Sequence, residues 1–188
     1  MNFLFDKLDA WGLSPLDALN EQPIVSRTDV EDLERMFGYL FPPLYSEFLL
    51  RYGIAAFYDS EVAFDAPPDW DEITNHASND IRAFYGVDKK RPSDIWNLKS
   101  VIEGVHLDNL PPHFLPICES DGSPTVVYLS CQEPDYGHLY ALTRKQIWDV
   151  MNGRLSTEQV ERAAFHLANS FEEFLENLRV ESFDDLEG

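Results

Sequence analysis

Five histidines and two cysteines are the side chains of this 188-residue chain best suited to metal or nucleophilic chemistry, and their spacing does not form a recognisable site. His76, His106, His113, His138 and His166 never stand as H-x-x-x-H or H-E-x-x-H, and no cysteine joins them at metal-ligand spacing. Cys118 and Cys131 lack a C-x-x-C pairing and any protease-type signature around them. Both read as small buried thiols, so neither a disulfide framework nor a thiol nucleophile is expected. G-x-S-x-G is absent, and among nine glycines there is no G-x-G-x-x-G and no G-x-x-x-x-G-K to cradle a phosphate. Carboxylates are so frequent that no single pair points to acid–base chemistry. The expectation is a non-enzymatic chain with no catalytic residue, cofactor or metal; an unrecognised carboxylate site in a deep pocket is the competing enzyme reading.

Charge says more. Fourteen basic against 34 acidic residues give a net charge of −20, which repels nucleic-acid phosphates and anionic lipid surfaces and favours a basic protein partner. The one basic cluster, Lys89-Lys90-Arg91, is too short to oppose that field and reads as a solvated turn. In residues 65–72 (DAPPDWDE), Asp65, Asp69, Asp71 and Glu72 surround Trp70 in a proline-stiffened loop. Trp70 is either an interface anchor ringed by negative charge or an indole folded back to cap the core. Glu119 and Asp121 belong to one predicted turn, and Glu133, Asp135 and Tyr136 to another (EPDYG), the two flanking a central strand. Together these residues are the candidate partner-binding set, and the two turns are expected to continue one acidic surface.

The elements that must position them are marked by capping signals. Four S/T-x-x-E/Q boxes, Thr28/Glu31, Thr143/Gln146, Ser156/Gln159 and Ser170/Glu173, predict helix starts. The first helix carries Val30, Leu33, Phe37 and Leu40; the second Ile147, Val150 and Met151; the third Val160, Ala163, Ala164 and Leu167; the last Phe171, Phe174, Leu175 and Leu178. Residues 41–58 (FPPLYSEFLLRYGIAAFY) predict a helix that starts at Pro42-Pro43 and stops at Gly53, with Leu44, Phe48 and Tyr52 in one stripe and Tyr45 and Leu49 beside it. Strands are predicted at 61–66, 114–118, 125–131 and 138–142, the second and third joined by a hairpin turn at Asp121-Gly122 and Ser123-Pro124. Helices, then strands, then helices give an α+β fold: a single domain with a largely antiparallel central sheet and helices packed mainly on one face.

The chain is long enough for one self-sufficient core. Its apolar N-terminal stretch carries Asp6 and Asp9 and no basic leader, so no secretory signal is expected, and no apolar run is long enough to span a bilayer. A cytoplasmic protein follows. The expected organisation is an N-terminal extension over 1–27, a domain over 28–180 including an irregular excursion over 65–93, and an acidic tail over 181–188.

Four pieces in order carry a resemblance. They are an acidic helix at 30–37 followed by FPPLYSEFLLRYG, the short piece IRAFYGV at 81–87, the strand pair FLPICESDGSPTVVYLS, and the closing ANSFEEFLENL at 168–178. Read together over roughly 29–178, the chain resembles the SUKH superfamily, of the SMI and KNR type of glucan-synthesis regulators and bacterial immunity proteins. Ser123-Pro124 stands where members often have Gly-Asn or Gly-Asp. The resemblance implies an α+β fold, no enzymatic activity and a protein partner: a cognate toxin, often a nuclease, for an immunity protein, or an endogenous partner in cell-wall signalling for a regulator.

Overall fold

The computed structural model describes residues 3–16, 25–68, 70, 78–89, 94–106, 110–120 and 125–181. In chain order its elements are α1 (Phe3–Ala10), β1 (Leu13–Pro15), α2 (Arg27–Phe37), α3 (Pro43–Tyr52), β2 (Ala55–Phe57), β3 (Glu61–Ala63), β4 (Ile81–Phe84) and α4 (Leu98–Val101), which runs into a π-helical turn (Ile102–His106). They continue with β5 (Phe114–Ser120), β6 (Thr125–Ser130), β7 (Leu139–Thr143), α5 (Arg144–Met151), α6 (Thr157–Ala163), β8 (Phe165–Ala168), α7 (Phe171–Glu176) and β9 (Arg179–Glu181). Seven strands form one sheet in the order β1-β2-β4-β5-β6-β7-β8, every neighbouring pair antiparallel, and β3 pairs with β9 in a small second sheet. The α+β expectation is met.

α3 lies at the centre of the main core for the reasons its sequence gives. Pro42 and Pro43 occupy the entry, where no amide is needed, and Gly53 ends the helix at φ 61°, a backbone that a Cβ would strain. Phe48, with no exposed surface, stacks among Phe5, Tyr45, Tyr52, Phe84 and Phe171, the closest ring centroids 4.9 Å away. Most helices that contribute to this core, α1, α2, α3 and α7, pack with the Leu115, Ile117, Val127, Leu129, Leu139 and Ala141 face of the sheet. On the other face, Phe114, Tyr128 and Leu142 form a smaller core with Val150 of α5 and Val160 of α6.

Several expectations are corrected. α2 is capped by Ser26, whose side chain exchanges bonds with Asp29, so the first box starts two residues earlier than Thr28. Aspartate serves there as well as glutamate because a cap needs only an acceptor within reach. Ser170 caps α7, but the Glu173 carboxylate accepts from the backbone and side chain of Asn169 at 2.8 and 2.9 Å. Leu40 and Met151 are exposed at 70% and 51%. The third helix stops at Ala163, and Phe165–Ala168 turns extended to pair with β7, with Phe165 against Trp70. Thr143 and Ser156 cap their helices with complete boxes as predicted.

Residues assigned to an extension are woven into the domain. Leu4, Phe5, Leu8 and Leu13 are buried in the main core, and β1 is an edge of the large sheet. The Lys7 ammonium donates to the carbonyls of Leu175, Glu176 and Leu178 at 2.9–3.3 Å, placing a cation where α7 leaves unsatisfied acceptors. At the other end Glu181 pairs with Glu61 in β9; residues 182–188 lie outside the described residues.

Candidate protein-binding surface

The candidate residues fall in three places. Asp65, beside the small sheet, is ion-paired to Arg179 at 3.1 Å with both side chains about half exposed. Trp70 is 3% exposed, its ring 5.7 Å from Phe64 and 5.1 Å from Phe165. This corrects the anchor reading: the indole caps the core, because the apolar Phe64 and Phe165 rings give it a drier site than the loop surface. Asp69, Asp71, Glu72 and Asp121 lie outside the described residues.

Glu119 and Asp135 mark the other two places, and they are not neighbours. β5 and β6 run antiparallel, with Glu119 paired to Val126 near the start of β6, while the turn carrying Glu133, Asp135 and Tyr136 follows its other end. The four steps of strand from Val126 to Ser130 separate them by about 14 Å. Glu119 and Asp135 therefore stand in two clefts flanking the second core and not on one continuous acidic surface.

The cleft at the Asp135 end encloses about 380 Å³ between Phe114, Asp135, Tyr140, Glu158, Glu161 and Arg162. Phe114 and Tyr140 stack as its floor, 5.1 Å apart and 14° from parallel. The Tyr140 hydroxyl donates to Asp135 at 2.8 Å, and burial with that bond holds its proton more tightly than usual. His113 stands 3.7 Å from Glu161 and against Tyr39. Tyr136 is half-buried on the same turn, its phenol pushed up by burial and by nearby Cys131, Glu34 and Glu133.

The groove at the Glu119 end encloses about 340 Å³ and is mostly apolar, lined by Pro116, Val126, Tyr128, Val101, Ile147, Trp148 and Met151, with Arg144 at its edge. Trp148 stays 57% exposed and Met151 51%. Glu119 is fixed inside it: the Tyr85 hydroxyl donates to one carboxylate oxygen at 2.9 Å and the Trp96 indole to the other at 2.7 Å. Trp96 is itself covered by the Arg82 guanidinium at 5.4 Å. Sequence reading missed Trp148 and Met151 because helical periodicity placed α5 but not how much of it the sheet would cover.

For covalent or metal chemistry the geometry offers little. Burial pushes the Cys131 thiol up to about 12, and raises Cys118 as well, so neither presents a thiolate near neutral pH. Among the described residues no three His, Cys, Asp or Glu side chains gather to hold a metal. His138 and His166 meet edge to face at 5.3 Å, with no third ligand among the described residues.

Residues 24–177 match the model of the SMI1 / KNR4 family (SUKH-1). The chain belongs to that family. The match begins just before the Ser26 cap of α2 and ends after α7, so it takes in both clefts, while α1 and β1 lie outside it although they complete the sheet and core of this SUKH-1 protein. No curated protein matches the chain. Among the described residues of this SUKH-1 chain, no helix is long and apolar enough to cross a membrane.

Proposed function

We propose that this SUKH-1 protein is a non-enzymatic, immunity-type binding protein that neutralises a cognate basic toxin by covering it. The family match over 24–177 carries the reading, since it favours a protein-binding role of the immunity or SMI1-like kind. The net charge of −20 supports a basic partner such as a nuclease, whose cleft must be positive to hold a phosphate backbone. The contact surface is assigned to the face bearing α5 and α6, where Glu119 stands in one cleft and Asp135, with Glu133 and Tyr136, at the other. Asp65 belongs to a separate, peripheral contact.

The test is co-expression with the toxin reading frame adjacent to its gene, followed by stopped-flow association of the purified pair. Survival of the co-expressing cells is expected, with an association rate that falls about tenfold or more from low to high salt. A salt-independent rate refutes the electrostatic part. Failure to rescue, together with stable binding to a host protein of cell-wall synthesis, overturns immunity in favour of the regulatory role.

A further inference from the structure

We infer that the groove between α4 and α5 is an arginine-reading pocket: it seats one arginine of the partner, flanked by apolar residues, with its guanidinium on Glu119 and its stem along Trp148 and Met151. The inference rests on the protein-binding reading above and adds the chemistry of the contact.

Three observations carry it. First, Glu119 is pre-organised but not neutralised. Its two described hydrogen-bond partners, the Tyr85 hydroxyl and the Trp96 indole, are uncharged donors, one to each oxygen. A carboxylate offers about four acceptor sites, so about two remain for the parallel donors of a guanidinium. Second, the surroundings suit arginine better than lysine. The walls are Val101, Pro116, Val126 and Ile147, and a guanidinium is shed of water more readily than a compact ammonium. Third, the rim exposes Trp148 and Met151 on successive turns of α5, an aromatic face for stacking on the guanidinium plane and a pliant thioether to follow an apolar neighbour. A half-buried carboxylate fixed by two donors, apolar walls and an exposed indole are together the complement of a desolvated arginine at an interface centre. Charge complementarity with Glu119 therefore selects this occupant, and Arg144, which also lines the groove, disfavours a second cation.

The intact protein, isotope-labelled, is titrated with acetyl-Leu-Arg-Leu-amide and followed by NMR. Saturable shifts are expected at the Trp148 indole and at Glu119, Val126 and Met151. Replacing arginine by citrulline, which keeps the shape and removes the charge, should weaken binding at least about tenfold. Glu119→Gln and Trp148→Ala should do the same, and Trp148→Ala serves as the variant whose exposed site leaves the fold intact. Equal binding of the citrulline peptide, shifts centred on Asp135, Glu158 and Glu161, or no saturable shift overturns the proposal. With the adjacent toxin as partner, at least about tenfold weaker inhibition by both variants supports it. Full inhibition by both overturns the groove and leaves the immunity reading standing. If the unaltered protein fails to inhibit that toxin, the immunity reading falls and the peptide titration alone decides the groove.

Discussion

Gly86→Ala tests the close approach of the chain after β4 to the end of α3. Gly86 follows β4 and passes against the C-terminal end of α3, where its amide donates to the Trp96 carbonyl at 3.1 Å and its carbonyl accepts from Leu98 at 2.7 Å. A Cβ on Gly86 would fall 2.5 Å from the Ile54 amide nitrogen and closer still to the Gly53 carbonyl. That is about 0.9 Å or more short of the 3.4 Å at which ordinary contact begins. Every crowded atom is backbone, so no rotamer relieves the clash; α3 must move away from β4, or the strand after it must shift together with Trp96. Overpacking in a rigid core costs roughly 1–3 kcal/mol and occasionally more, and a backbone-on-backbone clash belongs at the upper end, about 3 kcal/mol. For a domain of this size each kcal/mol lowers Tm by about 2–4 °C, so calorimetry should find a loss of about 6–12 °C. Gly104→Ala, at a site with open space for a Cβ, is the control and should leave Tm unchanged or slightly raised. A Gly86→Ala melt within about 2 °C of the parent would refute the close approach and, with it, the placement of Trp96 beneath Glu119.

Trp70→Ala should destabilise by about 3–5 kcal/mol through the cavity left between Phe64 and Phe165, measured by urea unfolding; weakened toxin binding with unchanged stability would restore the exposed-anchor reading. Tyr45→Phe should be neutral or stabilising, because the Tyr45 hydroxyl is fully buried without a hydrogen-bond partner among the described residues; a loss above about 1 kcal/mol would reveal a bound partner for it. Asp29 is pushed up by partial burial, but bonds from the Ser26 hydroxyl and amide and the Lys89 ammonium outweigh this and hold it below the usual aspartate value. Its contribution is therefore complete above the unfolded value of about 4 and disappears as pH falls through the lower folded value. Asp29→Asn should flatten the stability–pH curve on that acid side alone, and an unchanged acid slope would refute the pairing.

Helix starts were legible in the sequence to the residue where capping chemistry is local. Thr143/Gln146 and Ser156/Gln159 needed only side chains three positions apart, and both boxes form. The α3 core stripe was legible for the same reason, since Pro42, Pro43 and Gly53 set its ends and 3.6-residue periodicity set its buried side. Legibility failed where a distant partner decides. Residues 165–168 follow a helical apolar pattern, yet β7 offers an open edge and Trp70 a surface for Phe165, so they become strand. Leu40 and Met151 keep the right period and stay exposed because none of the described elements covers them. Of the candidate contacts, Glu119 was recognisable as a charge beside a turn, but its clamp by Tyr85 and Trp96 joins residues 34 and 23 positions away.

By itself, the sequence determined the α+β class, the family, the absence of a recognisable catalytic motif and the chain's own strongly negative charge, because these depend on composition and on contacts within a few residues. Only the tertiary structure decided that Trp70 is core, that α1 and β1 complete the domain, and that Glu119 and Asp135 stand at opposite ends of β6 in separate clefts. The physical reason is strand direction: antiparallel pairing sends successive connections to opposite ends of the strands. Two acidic residues close in sequence were thereby set at opposite ends of one strand, in separate clefts.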